Sequence, residues 1–207
     1  MRLFILVCSF VLLLSSRAAT AQSWFEYTSL EDRFGVNFPA EPEIEAFEYE
    51  SEFQAIFPAR SYRAERGPDL YVVTVVDFTD AQRIHGEMDK TEAASGSNVW
   101  INDQRASVAR AAREFRARGG QITYDAWSHI DLVEGHQLQL TNADGTRTYA
   151  AMYFNGNSRR LYVLEATISP RSPPAGQFQQ SLRFLDEDGD RVRYRLSPNG
   201  CSVPPDA

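Results

Sequence analysis

Lysine is almost missing from this chain. Of its 21 basic residues only Lys90 is a lysine, and the others are arginines. Cysteine is confined to Cys8 and Cys201, and histidine to His85, His129 and His136. Each scarcity excludes a class of chemistry. The one lysine sits in Met88-Asp89-Lys90-Thr91, so no G-x-x-x-x-G-K-[ST] phosphate loop is present. The three histidines are scattered and form no H-E-x-x-H zinc helix. G-x-S-x-G is absent too, which removes the nucleophile elbow of the common serine hydrolases. Two cysteines cannot build a disulfide framework, so burial must hold the fold. The supply for burial is adequate: 43% of residues are hydrophobic and 24% charged, a globular rather than a disordered balance.

Long apolar runs are also scarce. Leu3–Leu14 is the main one, preceded by Arg2 and followed by small residues ending in Ala19-Thr20-Ala21. That pattern predicts a signal peptide over residues 1–21, cut between Ala21 and Gln22. The run falls short of the roughly 20 apolar residues that span a bilayer. Leu70–Phe78 is the next greasiest segment and is only strand-sized, so no membrane span is expected after cleavage. The expected location is therefore the periplasm or the medium. Arg2 and Arg17 leave with the leader, which makes the remainder two charges more negative than the −7 of the whole chain. Such a body repels a nucleic-acid backbone and an anionic membrane. Cys8 leaves as well, so Cys201 is expected as a free thiol in the tail Ser197-Pro198-Asn199-Gly200-Cys201. Either it pairs with another chain or it is an idle exposed residue.

Periodicity predicts one α+β domain over 22–196 and a flexible tail over 197–207. Phe34, Val36 and Phe38 alternate with Gly35 and Asn37 and stop at Pro39, a half-buried strand. Ile44 to Tyr49 reads as a strand whose Glu43, Glu45, Glu48 and Glu50 suit a sheet edge. Ala59–Glu65 and Leu70–Phe78 follow, the second nearly continuous in apolar residues and so expected at the centre, covered on both faces. A helix over Asp103–Arg118 carries the stripe Val108, Ala112 and Phe115 and stops at Gly119-Gly120. A meander follows, Gln121–Val133, Gln137–Thr141, Thr148–Phe154 and Leu161–Ile168. Its turns are expected at Glu134-Gly135-His136, Asn142–Gly145 and Asn155–Ser158. A closing helix over Gln177–Leu185 is expected from Phe178, Leu182 and Leu185. The sum is a mainly antiparallel sheet of about 7–9 strands with two or three helices packed on it.

The segment Trp24–Pro42, and Phe34-Gly35-Val36-Asn37-Phe38-Pro39 within it, resembles the start of small bacterial envelope proteins of the PsbP-like (Mog-type) α/β/α sandwich. The resemblance implies a strand, hairpins, a helix, a meander and a C-terminal helix. It also implies a largely non-enzymatic role as an assembly factor or accessory subunit that binds other proteins. It carries no site residue, because the matched positions read as core.

Two constellations fail as metal sites. His129 and His136 flank Glu134 across a turn, too few ligands for a closed site. Asp186-Glu187-Asp188-Gly189-Asp190 puts its glycine two positions too early for a calcium loop and reads as an acidic turn ending the last helix. No cofactor is expected. The concentrated feature is basic: Arg105, Arg110, Arg113, Arg116 and Arg118 on the middle helix. Arg110, Arg113 and Arg116 project away from the apolar stripe. This ridge on an acidic body is a candidate surface for a protein partner in the envelope. The expected function is thus an exported, non-catalytic binding or accessory protein. A small-ligand or lipid carrier would instead show a deep apolar cavity, and a hydrolase without a known motif would show converging titratable groups.

Overall fold

The computed structural model describes residues 24–89, 96, 98–199 and 202–203. The cleavage site at Ala21 and Gln22, and the thiol of Cys201, lie outside them. Among the described residues no helix is long and apolar enough to cross a membrane. In chain order come β1 (Phe25–Ser29), β2 (Phe34–Phe38), β3 (Glu43–Glu50), β4 (Ile56–Arg66) and β5 (Asp69–Asp77). Helices α1 (Ala81–Glu87) and α2 (Val99–Ala117) follow. Then come β6 (Gln121–Ile130), β7 (Val133–Thr141), β8 (Arg147–Asn155) and β9 (Arg160–Ile168). The chain closes with α3 (Gly176–Gln179), β10 (Arg183–Phe184), β11 (Arg195–Leu196) and β12 (Ser202–Val203).

The fold is α+β, and its principal sheet has seven antiparallel strands in the order β3-β4-β5-β9-β8-β7-β6. Both faces are covered. On one face Tyr62, Val73, Tyr162 and Leu164 pack against Phe34, Val36, Phe38, Phe178 and Phe184. On the other, Phe57, Val76, Leu138 and Leu161 pack against Ala81 of α1 and Val108, Ala112 and Phe115 of α2. β5 feeds both cores, Tyr71, Val73 and Val75 into the first and Val76 into the second, as expected of a central apolar strand. Asp32, in the β1–β2 turn, ties the layers together. It accepts both arms of Arg60 at 2.8 and 2.7 Å and the Tyr62 hydroxyl at 2.5 Å. Burial, reinforced by that carboxylate, pushes the Tyr62 phenol well above its usual value.

Several expectations are corrected. β1, β2 and β10 form a separate three-stranded sheet rather than joining a single one. The closing helix is only α3; after Gln179 the chain runs extended so that Arg183 and Phe184 pair with Gly35 and Phe34. Phe178, Leu182 and Leu185 are all buried, Phe178 from α3 and the other two from extended chain beyond Gln179, so tertiary contacts override the helical spacing there. α2 begins at Val99, four residues earlier than its stripe suggested. The acidic turn ends no helix. Asp186 Oδ1 accepts the amides of Asp188 and Asp190 and closes the bridge between Leu185 and Arg191. The tail is not wholly unstructured, since β11 pairs with β12.

The most instructive correction is the β6–β7 turn. It lies at Asp131-Leu132, with φ of 48° and 66°, and not at Glu134-Gly135-His136. Two consecutive positive φ values are what a tight hairpin's twist demands, usually met by Asn-Gly. Gly135 is needed elsewhere. A Cβ there would stand 2.2 Å from the Met152 carbonyl oxygen and 2.2 Å from Cδ1 of Tyr153, so only glycine lets β7 lie under that ring.

Candidate functional site

β6 ends the principal sheet, and no described strand pairs with its outer edge. It exposes Ile122, Tyr124 and, at 70%, Trp127. The register places Trp127 opposite His136, and His129 opposite Glu134, all on the face that α2 covers further in. Beneath Trp127 lies a fixed polar cluster. Arg116 of α2 grips Asp125 of β6 through two parallel bonds of 2.7 Å. The Nε2–H of His136 donates to Asp125 Oδ1 at 2.5 Å, since an ionised carboxylate can only accept. The Arg116 guanidinium first, and the His136 bond with it, hold the Asp125 carboxyl down at about 2. Trp127 then stands edge-on to the His136 ring, with centroids 5.2 Å apart.

At the hairpin end β6 opens into a surface pocket of about 430 Å³ lined by Trp127, Ser128, His129, Leu132, Glu134 and Leu196. Leu132 forms this wall from a left-handed backbone conformation that a leucine adopts only at a cost of about 1–3 kcal/mol. Asp131 beside it is clamped by Arg191 at 2.8 Å. Glu134 and His129 are exposed, and Glu134 makes no ion pair among the described residues. The pocket joins apolar walls, an aromatic face, and a carboxylate and strand edge that are both unpaired among the described residues.

The residues singled out by sequence fare differently. The basic ridge is a row of intramolecular ion pairs rather than a free cationic surface. Arg110 pairs with Glu114 at 2.9 Å and donates to the Ser51 carbonyl, and Arg113 pairs with Glu52. Arg116 holds Asp125, and Arg118 pairs with Glu165 at 2.6 Å. Arg105 is exposed and takes no part in these pairs. The ridge therefore fastens α2 to the sheet. Its distant partners, Glu52, Asp125 and Glu165, could not be seen on the helix itself.

No group of three or more potential ligands stands close enough for a metal among the described residues. His136 is buried against Asp125, while His129 is exposed two residues beyond Trp127, and the two make no group of three ligands with Glu134 among the described residues. A second histidine–carboxylate pair, unforeseen from sequence, joins His85 Nε2 to Asp103 Oδ2 at 2.8 Å. Both side chains are almost wholly buried, their other polar atoms unpaired among the described residues, and Phe57 packs on the imidazole. That pair fixes α1 to α2 and is out of a substrate's reach. The groove between α2 and the sheet, lined by Phe47, Tyr49, Phe115 and Val163 among others, has about 210 Å³. Ligand pockets usually hold about 300–1,000 Å³. No protein-family model matches the chain, and no curated protein matches it in sequence.

Proposed function

We propose that this protein is an exported, non-catalytic binding module that engages a protein partner through the open edge of β6. The observation that carries this reading is the contrast between that edge and its surroundings. It is a strand of ten residues with no partner on its outer edge among the described residues, rich in exposed apolar side chains, whose lone acid is neutralised by Arg116, on an acidic body. An unpaired strand invites a further strand, whose backbone bonds give affinity and whose side chains give selectivity. Export follows from the leader pattern in residues 1–21. The finer likeness to PsbP-like (Mog-type) sandwiches belongs to this proposal, supported by the Phe34–Pro39 strand and the helix packed on an antiparallel sheet. The face closed by β1, β2 and β10 departs from an α/β/α arrangement.

The test is made in intact cells. Mass spectrometry of the recovered protein is expected to find Gln22 at the mature N-terminus. A photo-crosslinking amino acid replacing Trp127 is expected to give a discrete adduct, while the same group replacing Phe47 on β3 gives none. Crosslinking from Phe47 alone, or an unprocessed N-terminus, would contradict the proposal.

A further inference from the structure

The pocket beside β6 has a chemistry of its own. Trp127 offers a ring face to solvent, and Glu134 offers a carboxylate with no described ion-pair partner. Trp127 faces His136 and Glu134 faces His129, so Trp127 and Glu134 are diagonal neighbours on one face of the hairpin. Diagonal neighbours in an antiparallel pair lie about 7–8 Å apart, within reach of one long side chain. A cation held there meets the ring's negative face and a carboxylate together. Leu132 and Leu196 supply apolar walls for an aliphatic stem. A stem with a charged head is the anatomy of arginine and lysine. An acidic side chain would meet Glu134 and the chain's net charge of −7 unfavourably, and a purely apolar one would leave the carboxylate without a partner.

We infer that the occupant of the β6 edge is an extended segment of a partner protein bearing a basic side chain, whose head sits between the Trp127 ring and the Glu134 carboxylate. This rests on the docking role assigned to β6 above and adds the partner's chemistry to it. The backbone edge supplies general affinity. The pair Trp127 and Glu134 supplies the choice of side chain, and the acidic body draws basic segments in at a rate that falls with salt.

The probes are fluorescent nine-residue peptides of alternating threonine and valine with a central arginine, norleucine or glutamate, together with N-acetylarginine amide alone. Binding to the full mature chain is read by fluorescence anisotropy. The arginine peptide is expected to bind about tenfold more tightly than the norleucine peptide, the glutamate peptide more weakly still, and the free amino-acid amide not measurably. Glu134→Gln and Trp127→Ala, checked for an unchanged thermal unfolding curve, are each expected to shrink the arginine preference to less than about threefold. Methylating alternate backbone nitrogens of the peptide, in one of the two phases, is expected to abolish binding.

Equal affinity for arginine and norleucine, or a preference that survives Glu134→Gln, overturns the basic-segment inference. If binding remains sensitive to N-methylation in that case, edge docking itself still stands. Binding insensitive to N-methylation in both phases, or no binding by any peptide, removes both. Free N-acetylarginine amide binding as tightly as the peptide would show a side-chain pocket with no strand addition, which also contradicts the inference.

Discussion

β3 and β6 close the same sheet at opposite ends, and they treat the exposed edge in opposite ways. β3 has eight residues, four of them glutamates; its exposed Ile44 lies between two of them and its exposed Phe47 beside one. An incoming strand would have to bury those charges, the usual natural defence of an edge. β6 is longer, exposes Ile122, Tyr124 and Trp127, and carries one acid, Asp125. Arg116 neutralises that acid from the helix above. The same ion pair that fastens α2 to the sheet thus strips β6 of its only guard. An edge is defended by uncompensated charge, and a fold can open one end of a sheet by pairing that charge internally.

The largest effect is expected from disturbing the support under β6. Gly135→Ala puts a Cβ against the Met152 carbonyl and the Tyr153 ring, both 2.2 Å away. It is expected to cost about 2–3 kcal/mol, read as a lower urea midpoint with the slope unchanged. Ala46→Val on the exposed β3 edge is expected to stay within about 0.5 kcal/mol.

A smaller change sharpens it electrostatically. The Asp125 carboxyl is depressed from 3.8 to about 2, chiefly by the bonds from Arg116. A depressed carboxylate stabilises the fold fully above its unfolded value and loses that contribution as pH falls through the folded one. The wild-type fork should therefore persist until pH falls below about 3. In Arg116→Met the Asp125 carboxyl is expected to titrate nearer its ordinary value, seen by NMR of its side-chain carbon. The stability cost should stay below about 1 kcal/mol, because the pair is still partly exposed to solvent. The edge should also accept a strand less readily, since Asp125 regains its net charge.

The mildest change exchanges the two defences. Ile122→Glu with Trp127→Glu gives β6 the character of β3, with stability expected within about 0.5 kcal/mol per site and docking lost. Replacing Glu45 and Glu48 by glutamine is expected to raise concentration-dependent self-association, measured by sedimentation velocity.

Local patterning carried the strands a long way. The apolar run at Leu70–Phe78 and the glutamates of β3 signalled burial and exposure correctly, because those signals depend only on neighbours in sequence. Phe34–Phe38, expected half-buried, exposes none of its residues, since the distant Arg183 lies over Gly35. The last helix misled because Phe178, Leu182 and Leu185 have helical spacing, whereas pairing of β10 with β2, some 150 residues away, draws the chain after Gln179 into an extended course. The site was less legible. Gly135 looked like a turn glycine, and nothing near it in sequence reveals Tyr153 pressing on it. The arginine ridge looked free because its carboxylates come from the β3–β4 turn, β6 and β9. Trp127 fell outside the near alternation of Ile122, Tyr124, Ala126, Ile130 and Leu132 that marked the strand, and only the strand order showed that it lies on an end strand.

The most direct measurement is amide hydrogen exchange by NMR on the full mature chain, with and without excess arginine-bearing peptide. The account requires alternate amides within residues 121–130 to become protected, while the amides of residues 43–50 keep their rates. Protection along 43–50, or unchanged exchange along 121–130 at saturating peptide, would contradict it.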